Sequence, residues 1–247
     1  YPEEALAAGV SDIDRRVLRF IPTHSGKTYH ETAEGDFWRL SVFIPRTQSF
    51  AQVTPKNAYD AGLAFGNFES MLTDVDETLG ETIPDFHNME LRIRQLREAV
   101  LADVAGRLTE VRPLVDLLES HAEAMCRAEV LYREGRLPKR ICHCDTKVNN
   151  MLFDEAGGVL CVIDLDTVMP SFIFSDYGDF LRTAANATRE DDPDIDHVLL
   201  RWDVVESFTK GYIEGTHHFL LPIERELLPF AMQLFPYMQC VRFLTDY

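Results

Sequence analysis

Asp145, Asn150 and Asp164, in the middle of the chain, have types and spacing that can do chemistry together. They sit in two short stretches, His143-Cys144-Asp145-Thr146-Lys147-Val148-Asn149-Asn150 and Val162-Ile163-Asp164-Leu165-Asp166. Carboxylate and amide oxygens are hard ligands for a divalent cation. A phosphate-rich nucleotide is repelled by carboxylates unless such cations lie between them. Oxygen ligands must therefore converge on one point, while a further carboxylate stays free of metal to orient a nucleophile. The chemistry implied is metal-dependent phosphoryl transfer, with Asp145 as base and Asn150 and Asp164 on the metal.

An isolated Asp and Asn five residues apart would read simply as turn caps, so the flanking elements matter. Lys139-Arg140-Ile141-Cys142 is a short run entering the loop, and Met151-Leu152-Phe153 is an apolar run leaving it. Asp154-Glu155-Ala156-Gly157-Gly158 then predicts a hairpin turn into Val159-Leu160-Cys161-Val162-Ile163. The hairpin starts one strand at Asn150 and ends its neighbour at Asp164, folding the two side by side as a shared metal requires.

Upstream, residues 1–12 are polar with Ala and Leu at weak helical spacing. Residues 17–23 alternate and read as a strand, His24-Ser25-Gly26-Lys27 turns, and Thr28-Tyr29-His30 returns. After a second turn at Ala33-Glu34-Gly35-Asp36, residues 37–44 give the strongest strand signal in the chain, with Trp38 read as core. Residues 45–55 connect to a helix from Asn57, whose Ala58, Ala61, Phe65, Phe68 and Leu72 share one face. Ile83-Pro84-Asp85-Phe86-His87-Asn88 reads as an ordered loop with His87 packed into it. Two long helices are expected over about 89–105 and 109–134. On the first, Arg92, Arg94 and Arg97 read as a solvated edge paired with neighbouring Glu. Helices around 197–212 and 224–247 follow an acidic hydrated loop at 189–196.

The order Asp, Asn, Asp is also that of the protein kinases. HCDTKVNNMLFD resembles the HxDxxxxN motif of the aminoglycoside phosphotransferase and choline kinase superfamily, in which IDxD stands where protein kinases have DFG. The strings VIDLDTVMP, ETIPDFHN, DYGDFLRTAAN and RFLTDY resemble more specifically the bacterial N-acetylhexosamine 1-kinases. The resemblance spans nearly the whole chain. Cys144 departs from it, at a position where Gly or Asn is expected. The resemblance implies an α+β, protein-kinase-like fold. Residues 1–46 would be the remnant of a nucleotide-binding β lobe and residues 47–247 a mainly helical catalytic lobe.

It further implies ATP-dependent phosphorylation of the anomeric hydroxyl of an N-acetylhexosamine with Mg²⁺. Asp145 would take the hydroxyl proton and Lys147 would neutralise the transferring phosphoryl group. Asn150, Asp164 and Asp166 would serve the metal, Thr167 and Arg242 would contact the sugar, and backbone around Val42, Phe43 and Ile44 would meet adenine. Asp176 or Asp179 would buttress the loop from beneath. Two alternatives stand beside this: a kinase of the same superfamily acting on choline, an aminoglycoside or an amino alcohol, and a catalytically silent kinase-like binding module.

Bulk properties narrow the partners. A 247-residue chain with 46% apolar and 26% charged residues can bury a substantial core as one large domain or two small ones. A net charge of −17 argues against nucleic acid and anionic membranes, so ATP binding must lean on Mg²⁺ and a few local cations. No signal peptide or apolar run of spanning length is evident, and a cytoplasmic location is expected. The five cysteines are dispersed, and Cys142 and Cys144 around His143 lack zinc spacing, which favours buried reduced thiols. No phosphate-covering glycine loop or strand lysine is found upstream of residue 45, and Ser25-Gly26-Lys27 reads as a turn. With Tyr1 and Tyr247 at its ends, the chain is expected to lack the first strands of the small lobe and to be inactive alone.

Overall fold

The computed structural model describes residues 12–50, 52–75, 79–188 and 192–247. The weak helix expected over 1–12 and part of the acidic stretch, 189–191, lie outside these.

Helix α1 (Ile13–Arg16) leads to two short antiparallel strands, β1 (His30–Glu31) and β2 (Phe37–Trp38), with His30 opposite Trp38. The turn at 24–27 is present, with Gly26 at φ 82° and the Thr23 amide donating to the Lys27 carbonyl at 2.8 Å. The strand expected over 37–44 is corrected: its ladder stops at Trp38, and only a single bridge, Phe20 to Ser41, carries pairing further. The strand expected over 17–23 reduces to that same bridge. Apolar alternation marks a strand only when one face finds a partner. Here Phe37, Trp38, Leu40 and Phe43 are all exposed, Trp38 to 66% rather than buried. Ile44 is the first buried side chain among the described residues, packed with Leu160 and Cys161.

Helix α2 (Pro55–Met71) begins where Thr54 accepts a hydrogen bond from the Asn57 amide at 3.2 Å and Pro55 supplies a pre-set φ. Its Ala58, Ala61 and Phe65 are fully buried. Helix α3 (Met89–Ala102) is capped by the Asn88 side chain, which accepts from the Leu91 amide. Where one helix is expected over 109–134, the structure has two, α4 (Leu108–Met125) and α5 (Arg127–Arg133), parting at Cys126.

Strand β3 (Arg140–Cys142) pairs antiparallel with β6 (Met169–Ser171), and β4 (Met151–Phe153) with β5 (Val159–Val162), in the registers Cys142 to Met169 and Met151 to Val162. These two pairings hold the loops 143–150 and 163–168 side by side. Helices α6 (Phe174–Ala184), α7 (Trp202–Thr216), α8 (Pro222–Glu226) and α9 (Leu228–Asp246) complete the chain.

One core runs from Val53 to Val241 and joins these helices to the hairpins. Phe180 and Phe208 stack with centroids 4.0 Å apart, and Tyr177 and Tyr212 flank them. Burying one such ring contributes about 1.5–3 kcal/mol. Helices α2 and α7 touch backbone to backbone: a methyl group on Gly62 or Gly211 would run into the facing main chain. Alanine at either position forces the helices apart. Among the described residues, no helix is long and apolar enough to cross a membrane.

Candidate active site

The loop 143–150 is fastened from below before any of its chemistry is considered. His143 is fully buried, its ring 5.8 Å from those of both Phe65 and Phe68. Its Nε2 donates to the Ile163 carbonyl at 2.9 Å, since a carbonyl only accepts, and its Nδ1 accepts from the Asp145 amide at 3.3 Å. This ring therefore ties one loop to the other. The Asp176 carboxylate accepts from the His143 amide at 2.8 Å and from the Cys144 amide at 2.7 Å. Asp179 accepts from the Thr146 amide at 3.1 Å and is paired with Arg182 at 3.0 Å. Both acids thus sit beneath the loop, where one or the other is expected. The Thr146 hydroxyl adds a bond to the Asp176 carbonyl.

Cys144 has φ 64°, the left-handed region, which is the physical reason Gly or Asn suits this position. Its thiol is buried beside Cys142 and Met169, and burial pushes its pKa up, so it stays protonated. All five cysteines are free, as expected, although Cys240 is exposed and Cys126 only half-buried. Asp164 also has a positive φ, 60°, at the turn out of β5.

On the solvent side, Asp145 Oδ2 accepts from Lys147 Nζ and from Asn150 Nδ2, each at 2.8 Å. Asn150 Nδ2 also donates to the Asp145 carbonyl, which leaves its Oδ1 available. The hydrogen bond and charge of Asp145 raise the Lys147 pKa, with Asp164 and Asp179 adding to the effect. The Asn150 carbonyl accepts from the Ile163 amide at 2.9 Å, so Asp164 follows directly on the residue paired with Asn150. The Asp164 carboxylate has no hydrogen-bond or ion-pair partner among the described residues. An oxygen set with a free carboxylate and a free amide oxygen, beside a carboxylate already held by a lysine, fits a hard divalent cation.

Other residues singled out from the sequence are placed differently. Asp166 pairs with Arg39, whose guanidinium also lies 4.8 Å from the Phe20 ring. The Thr167 hydroxyl donates to the His143 carbonyl at 2.8 Å, which pins the second loop to the first and leaves its oxygen free to accept. The Val42 amide is taken by the Arg19 carbonyl at 2.8 Å, so it is not free for adenine. Phe43 is 83% exposed and Ile44 is buried. Arg242 is half-buried, 5.5 Å above the Phe86 ring, with Nη1 on Gln239. Arg94 pairs with Glu98 on the same helix, as expected, whereas Arg97 reaches across to Glu119 of α4 and Arg92 turns inward to the Phe86 carbonyl at 2.8 Å.

His87 is packed, not basic. It stacks on Phe86, meets Phe235 edge-on and shares a hydrogen bond with Ser175 at 2.9 Å. Burial above all, then the charges of Arg242 and Arg92, lower its pKa to about 3, with Asp145 opposing and Arg182 adding. Arg92 and Arg242 both lie against Phe86, the neighbour of His87, whereas Arg182 is held by Asp179. Sequence reasoning missed Glu69 and Tyr212, whose side chains bond beneath the loop at 2.7 Å. The available signal was a carboxylate four residues after Phe65, continuing an otherwise apolar helix face.

Known structures share this architecture. An amicoumacin kinase in complex with AMP-PNP, Ca²⁺ and Ami is 14% identical, with a TM-score of 0.61 over 100% of this chain and 70% of its own. An aminoglycoside phosphotransferase, solved with GDP and kanamycin, is 17% identical, with a TM-score of 0.57 over 94% of this chain and 69% of its own. An aminoglycoside phosphotransferase from Alicyclobacillus acidocaldarius is 17% identical, with a TM-score of 0.51 over 99% of this chain and 80% of its own. At these identities the likeness is one of fold. Residues 15–212, which include both loops, match the Phosphotransferase enzyme family (APH), and the chain belongs to that family.

Proposed function

We propose that this protein transfers the γ-phosphoryl group of ATP to the anomeric hydroxyl of an N-acetylhexosamine. The observation that carries this reading is the Asp145 carboxylate, held by Asn150 and Lys147 at 2.8 Å on a loop whose amides are fixed from below. In the transfer, the sugar oxygen bonds to the γ-phosphorus as the bond to the β-phosphate oxygen breaks. ADP leaves, and the hydroxyl proton passes to Asp145. In a loose transition state that proton leaves late, and positioning supplies most of the effect. Lys147 stands where it can meet the charge of the transferring group.

Asn150 Oδ1 and Asp164 would hold Mg²⁺, with Asp166 in support once released from Arg39. The ion, when bound, screens the phosphate charge from the carboxylates. Backbone at 43–44 remains the proposed edge for adenine. Residues 1–46 and 47–247 form the proposed nucleotide-facing and catalytic parts, a division supported by the absence of buried side chains over the described residues 12–43. A cytoplasmic location belongs to the same proposal, since ATP is supplied there.

The acceptor is inferred from one side chain and from the sequence resemblance. Arg242, half-buried over the Phe86 ring, has the guanidinium fork that suits hydroxyl and acetamide oxygens, and the sugar 1-kinase resemblance of the sequence supports the same acceptor. An acceptor panel with ATP and Mg²⁺ tests the reading: N-acetylglucosamine and N-acetylgalactosamine should yield the sugar 1-phosphate. Phosphorylation of choline or kanamycin alone would replace it with the amine-acceptor reading. Isothermal titration lacking any metal-dependent ATP affinity would leave a binding module.

A further inference from the structure

Glu69 lies on α2 in the apolar register of Ala58, Ala61 and Phe65, and it is buried. The Tyr212 hydroxyl, from α7, lies 2.9 and 2.7 Å from its two carboxyl oxygens. The Glu69 and Asp176 carboxyl groups and the Cys142 thiol all lie within 4.8 Å of one another, all three buried. Two carboxylates in such a space cannot both be ionised without a cation between them. Arg140, the nearby cation, is already bidentate on Glu224 at 2.6 and 2.8 Å. A bound metal fits poorly, because the Asp176 oxygens are occupied by two amides and burial keeps the Cys142 thiol protonated.

The proton of this acid pair has a clear place. Burial raises Asp176 as well, but two backbone amides pull it back toward the ionised form, whereas Glu69 accepts only from a phenol. Burial pushes the Glu69 carboxyl well above its ordinary range, and the adjacent Asp176 charge adds to the shift. The shared proton then belongs on Glu69, which faces the Asp176 carboxylate within 4.8 Å.

We propose that Glu69 is a positioning residue for phosphotransfer: set between the Tyr212 hydroxyl and the Asp176 carboxylate, it ties α2 and α7 to the His143 and Cys144 amides and so sets where Asp145 points. This rests on the reading of Asp145 as the base. The contact of α2 with α7 at Gly62 and Gly211 leaves little slack for Glu69 and Tyr212 to separate, so the linkage is stiff.

The test compares Glu69→Leu, Glu69→Gln and Tyr212→Phe in the full chain, by steady-state kinetics and by amide exchange over residues 143–146. Glu69→Leu should lower kcat by about 10–100-fold while KM for Mg·ATP moves less than about threefold. It should also speed exchange of the His143 and Cys144 amides. Glu69→Gln, whose N–H replaces the acid proton, should keep both properties within about threefold of wild type. Should Glu69→Leu fail to fold, Tyr212→Phe keeps the ring and gives the same pattern at smaller amplitude. A Glu69→Gln protein as impaired as Glu69→Leu, or unchanged kcat and loop exchange in both Glu69→Leu and Tyr212→Phe, overturns the proposal. If wild type phosphorylates no acceptor, the functional reading falls alone, and exchange still decides this one. Protection lost in Glu69→Leu and kept in Glu69→Gln supports it, and equal protection in all variants refutes it.

Discussion

The two sides of the loop 143–150 are built on opposite principles. Below it, each polar group that meets the loop is buried and matched: Asp176 with two amides, Asp179 with an amide and Arg182, His143 with a carbonyl. Above it, Asp145 and Lys147 are half-exposed and Asp164 and Asp166 exposed, and the contacts they make are ones a metal or a phosphate can exchange. A buried donor left without its acceptor loses its desolvation energy outright, whereas an exposed group finds water. The lower side can therefore hold a geometry, and the upper side is free to change partners during a reaction.

Substitutions on the two sides should accordingly separate stability from turnover. The largest effect is expected from Asp176→Ala, which orphans two buried amides at about 1–3 kcal/mol each and so destabilises by about 2–6 kcal/mol. Chemical denaturation measures it, and a loss below about 1 kcal/mol would mean the lower side is not a scaffold. Asp145→Asn should act the other way round. It keeps the shape and the acceptor oxygen but loses the base, so kcat falls by about 10²–10⁴ while the unfolding midpoint stays put. Normal turnover in that variant would remove Asp145 from the mechanism.

A smaller effect is expected in acid. His87 takes a proton only near pH 3 in the folded protein but near 6.5 when unfolded, so between those values the unfolded chain binds more protons. Stability therefore falls as pH drops through that window, by about 2–3 kcal/mol at pH ~4.5. Denaturation at neutral and acid pH should show this loss in wild type and not in His87→Gln. The comparison cancels Glu129, whose carboxyl, raised by burial to about 7, acts in the opposite sense. The smallest effect belongs to the upper side: Arg39→Ala breaks the exposed pair with Asp166 and should shift stability by less than ~0.5 kcal/mol. A larger shift would show that Asp166 is structural.

The parts of the site that were legible are those fixed by local chain geometry. A run of turn formers between two apolar triplets determines a hairpin, and the hairpin alone sets Asn150 next to the residue before Asp164. The apolar spacing of α2 was legible for the same reason. The segment 37–44 misled because its alternation would need a facing surface to become a buried strand, and here those side chains stay exposed. Arg92 misled in the reverse sense: a charged residue on a helix edge turns inward when a loop carbonyl, that of Phe86, comes within reach.

Sequence by itself determined the candidate groups, their order and the turn that gathers them, because these depend on residue type and on contacts a few positions apart. Only the tertiary structure decided which polar groups lose water. Glu69, Tyr212 and Asp176 are separated by 107 and 36 positions, from Glu69 to Asp176 and from Asp176 to Tyr212, and meet only because α2 and α7 pack backbone to backbone with α6 against them. That loss of water makes one acid neutral and another a clamp, and no spacing along a chain encodes it.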